Sequence, residues 1–386
     1  MRSALPREVY PLYAIVFIDV LGFTFLIPLL PALAKRFAGS PFEMGMLIST
    51  TALCATLSSP GWGYLSDHVG RKKVLLSSQG FTLAGYLLIA LAGNVPVLFL
   101  SRVVAGLGGG NLGVAQSYIV DVVEVRDRQR ALAWGTAAFG LGFVVGPILG
   151  GLLLKLGLAA PFWAASALEV VNIVFTIFAL RDAPPHVPGE RDRRSLFSAL
   201  LDRSMLNLMG RQFLFIFSFT YFFTVFGFYL DRQLRIDSTG TSLLLGAAGV
   251  VGAAMLIFGV DRLARRFGDF GLSQIAFVAA FVAYALVVFV ASLTTFAVVL
   301  IIWAASGSVL RPTLNKLIAD AAPEQHRGAI LGFADSLSNA SMIFAPAIGS
   351  AIVGVDPRLS GVLPSICVAA AFCLGLLTKR PIARAT

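Results

Sequence analysis

The sequence predicts an all-α polytopic membrane protein of twelve transmembrane segments, arranged as two six-helix bundles related by pseudo-two-fold symmetry. Three observations predict it: a composition too apolar for a soluble core, apolar runs of membrane-spanning length, and a diverged internal repeat whose cations are confined to short turns. Of 386 residues, 57% are hydrophobic and 13% charged, with a mean hydropathy of +0.84. A soluble globular domain is less apolar and about twice as charged. No ten-residue alternation of the barrel kind occurs, and in lipid a helix satisfies its own backbone. The net charge of +10 does not point to nucleic acid, because the cations lie between apolar runs and not along one basic face. Cys54, Cys367 and Cys373 fall inside apolar runs without ligand spacing, which predicts packing residues and no metal centre. The first run carries Asp19 and Pro28 with no small-residue cleavage site after it, so a cleaved signal peptide is not expected.

In chain order, the runs near the roughly 20 residues needed to cross a bilayer are 10–34, 44–64, 74–93, 96–120, 131–154 and 160–180, then 211–230, 241–260, 271–292, 295–319, 328–353 and 360–378. The turns on the side of Gly63–Lys73, with both termini, hold 22 of the 30 Lys and Arg, and the opposite turns hold six. Cations favour the cytoplasmic face, so both termini are expected there. The polar stretch from Arg181 to about Gly210, with Pro184, Pro185, Pro188 and the cluster Arg191–Arg194, reads as a cytoplasmic linker with a short surface helix from Ser195 to Arg203. It divides the chain into bundles 1–180 and 211–386. A single offset of 199 lays Asp121, Arg128, Pro147 and Gly150 on Asp320, Arg327, Pro346 and Gly349. A similar offset, 198, lays Gly70 on Gly268. Two equivalent bundles are what alternating access requires, with a substrate site expected near the midplane.

The turn Gly63-Tyr64-Leu65-Ser66-Asp67-His68-Val69-Gly70-Arg71-Lys72-Lys73 packs one carboxylate, three cations and two glycines into eleven residues. Glycines permit a tight reversal, and Asp67 can cap a helix or pair with Arg71. The spacing of Gly63, Leu65, Asp67, Gly70, Arg71 and Lys72 resembles the loop between helices 2 and 3 of the major facilitator superfamily. The stretch from Leu98 to Gly108 around Arg102 is similar to that family's fourth-helix motif. Gly142, Gly146, Pro147, Gly150 and Gly151 are similar to its fifth-helix signature, which is associated with proton-coupled antiporters. The stretch from Asp19 to Pro31 resembles the first helix of twelve-helix drug exporters, tetracycline/proton antiporters included. The resemblance implies that Asp67, Arg71 and Asp121 latch the cytoplasmic ends when the cavity opens outward. Read physically, Gly142, Gly146 and Gly150 share one helix face and admit a close neighbour, while Pro147 removes a hydrogen bond; tight packing and a moving hinge both fit.

Charges inside the membrane cost several kcal/mol each and usually mark function. Asp19, nine residues beyond Tyr10, lies roughly 14 Å along its helix and is the first candidate for a proton carrier. Arg102, 19 residues from Asp121 and so roughly 28 Å from it, is expected at a different depth from Asp19. It then acts on Asp19 at long range or contacts backbone carbonyls. Glu169, in the sixth segment, is a weaker candidate, since the resemblance implies that sixth helices support the bundle. Arg311 and Asp335 come out at similar depths and predict a pair between the tenth and eleventh segments.

The ten aromatics from Phe213 to Tyr229 are expected mostly toward lipid. One stripe including Tyr221 and Phe222 would line the cavity, because seventh helices do so in the family. Asn111, Gln116, Tyr118 and Asn315 could add neutral hydrogen bonds there, beside Arg311. No phosphate-binding loop and no nucleophile–base pair is present, and His68, His186 and His326 all fall in loops, which argues against an ATP-driven pump or an enzyme. The resemblance therefore implies a monomeric, multi-pass inner-membrane exporter of lipophilic or amphipathic small molecules, driven by protons and needing no cofactor. A proton-coupled metabolite or sugar transporter, and a non-transporting or lipid-handling relative, remain open on the residues alone.

Overall fold

The computed structural model describes residues 6, 9–109, 111–180, 199–323 and 326–377, which are helical almost throughout, with no strand among them. Seven helices precede the linker: α1 (Tyr10–Phe37), α2 (Pro41–Val69), α3 (Arg71–Ala90), α4 (Val95–Leu107), α5 (Asn111–Val122), α6 (Val125–Leu154) and α7 (Ala160–Ala179). Six follow it: α8 (Arg203–Tyr229), α9 (Ser238–Ala254), α10 (Val260–Val287), α11 (Leu293–Ala321), α12 (Arg327–Val355) and α13 (Val362–Leu377). Local chemistry sets their ends. Ser40 and Glu43 form a reciprocal cap at α2, with Glu43 N donating to Ser40 Oγ at 3.2 Å. Asn94 caps α4 and Ser292 caps α11 in the same way, by accepting from the backbone three residues on.

Nine helical runs among the described residues are long and apolar enough to cross a membrane by themselves. The difference from twelve segments has three causes. Ser238–Val287 is one helical run of 50 residues, which reverses at Gly268, where φ is +71° and ψ 160°. Within α2, Ser58, Ser59, Pro60, Gly61 and Gly63 dilute an otherwise apolar segment. The fourth segment, expected as one helix over 96–120, is broken into α4 and α5.

That break is built from glycine. A Cβ on Gly106 would lie 2.6 Å from Thr51 O, and one on Gly108 would lie 2.7 Å from Ser78 O. The backbone therefore runs in direct contact with α2 and α3. Breaking a helix orphans carbonyls, which is costly away from water. Here Gly106 O accepts from Gly109 N at 2.8 Å and from Ser58 Oγ at 3.3 Å, and side chains satisfy the next two: Trp62 Nε1 donates to Leu107 O at 2.6 Å, and Ser78 Oγ to Gly108 O.

By their internal contacts the described residues form two units, one holding residues up to 180 together with Ile236–Gly246, the other holding 199–235 and 247–377. In the first, α6 packs on α1, and α3 lies against α4 and α7. In the second, α12 packs on α8, and α10 lies against α11 and α13. These are equivalent pairings, so the twelve segments form two six-segment bundles of one design. Glycine explains the first pairing. A Cβ on Gly142 would stand 2.8 Å from Val20 Cβ, one on Gly146 would collide with Thr24 Oγ1, and one on Gly150 would be 3.2 Å from Phe25 Cα. Gly349 packs likewise on Tyr221 and Val225 of α8. Gly151 points elsewhere, against Ser242 in the Ile236–Gly246 stretch. Helix α6 remains continuous through Pro147.

The two glycines matched by spacing also share a conformation: Gly70 has φ +105° and Gly268 φ +71°, a region open to glycine and strained for other residues. Arg128 Nε donates to Val123 O at 3.0 Å and Arg327 Nε to Ala319 O at 2.9 Å. Each guanidinium thus satisfies a carbonyl at the end of the helix before it.

Two readings are corrected. The seventh segment begins at Arg203, not 211, with Asp202 accepting from Ser204 N at 3.0 Å. Arg211, counted among the turn cations, is therefore well inside α8 and fully buried. The aromatic run is not turned to lipid: Phe215, Tyr221, Phe222, Phe226, Phe228 and Tyr229 are buried, and Phe213, Phe217, Phe219 and Phe223 half-buried. Helix α8 is covered by α11, α12 and α13, and hydropathy does not distinguish that cover from lipid. Of the linker, residues 181–198 lie outside the described ones, as does most of its expected surface helix; Ala199 and Leu200 are helical.

Candidate functional site

Four ionisable groups of the first unit converge. Asp19 projects from α1, Arg102 from α4 and Glu169 from α7, and all three fall within electrostatic reach of Tyr86 on α3. Asp19 is also an electrostatic neighbour of Glu169. Asp19 is half-buried, whereas Arg102, Glu169 and Tyr86 are buried. Arg102 Nε donates to Ser101 Oγ at 3.1 Å, while its Nη2 is buried without a hydrogen-bond partner; the Glu169 carboxyl is buried beside the Asn172 side chain. Arg102 and Asp19 thus share Tyr86 as an electrostatic neighbour, and the segment that carries Arg102 is not one helix.

Close backbone contacts hold this cluster together. A Cβ on Gly22 would be 2.6 Å from the Tyr86 hydroxyl, and one on Gly85 would be 2.6 Å from Ala105 Cβ. Gln79 Nε2 donates to Thr176 Oγ1 at 3.0 Å and ties α3 to α7; Asn172 Nδ2 reaches Ile15 O at 3.5 Å and ties α7 to α1. Sequence reasoning missed Tyr86. Its signal was the glycine beside it, which lets α3 approach α4 closely enough to set the ring against α1.

At the Gly63–Lys73 turn, Arg71 is the hub. Its side chain meets Asp67 at 2.6 Å, Asp121 at 2.9 Å and Ser66 Oγ at 2.5 Å. Asp67 ends α2, Arg71 begins α3 and Asp121 ends α5, so three helix ends share one guanidinium. Lys72 Nζ donates to Ile177 O at 2.7 Å at the end of α7. No matching carboxylate stands at Asp67's counterpart, Arg265, yet the second unit holds a pair of its own. Lys316 Nζ meets Asp269 at 2.6 Å. Asp269 occupies the place of Arg71 at the offset of 198, but Lys316 does not stand at the counterpart of Asp121, which at the offset of 199 is Asp320.

In the second unit, Arg311 on α11 and Asp335 on α12 are within electrostatic reach of each other. The Arg211 Nη2 donates to Ser273 Oγ at 2.8 Å and Gln274 Oε1 at 2.7 Å. Its guanidinium lies over the rings of Phe270 and Phe277, 5.2 Å from each centroid. Of the residues expected to line a cavity, Tyr118 belongs to a buried cluster with Leu12, Val16 and Leu75, and Tyr221 and Phe222 are buried. Phe222 joins Phe226, Tyr284 and Trp303 in edge-to-face contacts. Gln116 is exposed and Asn315 half-buried, while the Asn111 side chain lies outside the described ones. Among the described residues no group of three or more His, Cys, Asp or Glu could hold a metal ion.

Two bundles of one design, with ionisable groups inside apolar segments, define a polytopic membrane carrier. The chain belongs to the Major Facilitator Superfamily, whose pattern it matches over residues 12–346 and again over 208–385. It is 28% identical over 386 residues to the class C tetracycline resistance protein of Escherichia coli, covering 96% of each chain. It is 24% identical over 351 residues to multidrug resistance protein 2 of Bacillus subtilis (strain 168), covering 88% of this chain and 87% of that one. Its fold superposes on a bacterial homolog of the human lysosomal transporter Spinster with a TM-score of 0.82, at 15% identity and 97% coverage of both chains. The family is one of transporters, not enzymes.

Proposed function

We propose that this protein exports small lipophilic or amphipathic molecules, tetracycline-like compounds among them, in exchange for protons by alternating access. The observation that carries the reading is the set Asp19, Arg102 and Glu169, ionisable groups held inside apolar segments where such groups are expensive. A carboxyl in such a place gains or loses a proton as its surroundings dry or become wet, which links proton movement to a conformational cycle. Similarity to tetracycline and multidrug resistance proteins supports the direction and the substrate class.

In this reading Asp67, Arg71 and Asp121 hold the cytoplasmic ends of α2, α3 and α5 together in one state of the cycle. Arg311 and Asp335 join α11 to α12 and share the second unit's part of the cargo path with Asn315. Gln116 and Asn111 supply neutral hydrogen bonds in the first unit. The glycine face of α6 keeps it rigidly seated on α1, so that α1 and its acid move as part of the bundle. The protein works as a monomer in the bacterial inner membrane with both termini cytoplasmic.

The test is proton flux in liposomes containing the purified protein, loaded with a pH dye and challenged with tetracycline and other lipophilic drugs. Drug-dependent proton movement that disappears in Asp19→Asn is the expected result. If no compound moves protons in the wild type, the reading is wrong.

A further inference from the structure

Tyr86 stands where three walls of the first unit meet, and each wall carries a charge one turn away. On α1 its hydroxyl lies against Gly22, 2.6 Å from where a Cβ would be, and Gly22 is three residues from Asp19. On α7 its ring belongs to the same buried cluster as Ala165, four residues before Glu169. On α4 the contact is made by its neighbour Gly85, against Ala105, three residues beyond Arg102. Residues three or four apart share a helix face. Asp19 and Glu169 are therefore on the faces of α1 and α7 that meet Tyr86, Arg102 is on the face of α4 that meets α3, and all three are within electrostatic reach of its hydroxyl. They are the ionisable groups that come within that reach from α1, α7 and α4.

The hydroxyl itself is an odd group to find there. Tyr86 is 5% exposed, and an apolar ring would fill the wedge between α1 and α7 equally well. A hydroxyl can donate to one carboxyl while accepting from another group. Two carboxyls within reach of each other titrate as a pair, not as separate sites. Glu169 is buried and an electrostatic neighbour of Asp19, with the Asn172 side chain beside it three residues on.

We propose that Tyr86 is a positioning residue that couples Asp19 to Glu169, so that the two carboxyls form a single proton site facing the Arg102 guanidinium. The inference rests on the proton-coupled reading above and assigns its site. With one proton between them the carboxyls carry one negative charge, which Arg102 balances. A second proton leaves the cluster positive, and that proton is the one exchanged across the membrane. Glu169 is then a working half of the site and not a support for the bundle.

The test is the pH profile of drug-dependent proton flux in liposomes for wild type, Tyr86→Phe, Glu169→Gln and the double variant. Tyr86→Phe removes one oxygen and keeps the ring. The expected result is a profile whose midpoint moves by about one pH unit, a tenfold change in proton activity, in both single variants. The double variant should move no further, because both changes break the same coupling. If Tyr86→Phe only scales the flux equally at every pH, or if its shift adds to that of Glu169→Gln, the coupling does not exist. Wild-type protein that moves no protons with any drug would instead sink the proton-coupled reading. Should Tyr86→Phe fail to fold, Gly22→Ala pushes a methyl at the hydroxyl while leaving every polar group in place. It should move the midpoint in the same way, and an unmoved profile there overturns the proposal.

Discussion

Replacing Arg71 by Met removes the one cation that three helix ends share. The cost can be ranked from the geometry. The Asp121 carboxylate is 7% exposed and meets Arg71 at 2.9 Å. Losing its partner leaves a nearly buried charge uncompensated, a change worth about 3–5 kcal/mol. Asp67 is 30% exposed and one turn from Arg71 on the chain, so water takes over much of its solvation; Asp67→Asn is expected to cost below about 1 kcal/mol. Asp121→Asn falls between, since Arg71 keeps Asp67 and Ser66 Oγ. Unfolding of the purified protein, followed by tryptophan fluorescence, should therefore order the variants Arg71→Met, Asp121→Asn, Asp67→Asn, from most to least destabilised. A double-mutant cycle between Arg71 and Asp121 should give a coupling of at least about 1.5 kcal/mol. If Asp67→Asn were as damaging as Arg71→Met, or the cycle returned zero, the description of Arg71 as the hub would be wrong.

The remaining predictions use the same logic. Lys316→Ala should change stability by less than about 1 kcal/mol, because the lysine is 57% exposed; a loss comparable to Arg71→Met would refute the contrast between the two ion pairs. Trp62→Phe leaves the Leu107 carbonyl without its donor and should cost about 1–3 kcal/mol in the same unfolding assay. A wild-type transition would mean the break is satisfied some other way. Gly146→Val should prevent α6 from seating on α1, seen as loss of folded protein by size-exclusion chromatography, whereas Gly140→Ala, with open space around it, should be neutral. Exchanging the charges of Arg311 and Asp335 together should restore most of the transport lost in either single reversal; no restoration would deny that they act as a pair.

Much of this was written in spacing. Gly70 and Gly268, 198 residues apart, adopt the same uncommon backbone region because each must reverse the chain between two segments. The Arg71 network was legible because a charged turn between apolar runs has few other partners. What stayed hidden followed from treating apolar residues as equivalent. Hydropathy does not separate lipid contact from helix contact, so the buried aromatics of α8 read as lipid-facing. It also runs smoothly through Gly106–Gly109, where the helix breaks, since glycine interrupts geometry without interrupting hydrophobicity. Arg211 sat at the polar edge of its apolar run and passed for a turn residue; only the earlier start of α8 places it inside.

A helix cut in the middle cannot carry a push from one end to the other. Arg102 lies on α4 and Asp121 on α5, and between them the backbone is gripped at Gly106, Leu107 and Gly108 by Ser58, Trp62 and Ser78. Two charges of one segment are thus assigned to different levers. Arg102 stands by Tyr86 with the acids of α1 and α7, while Asp121 meets the guanidinium at the start of α3. The route from the turn to the acids is therefore α3, which begins at Arg71, clamps the fracture with Ser78 and carries Tyr86, rather than the fourth segment itself.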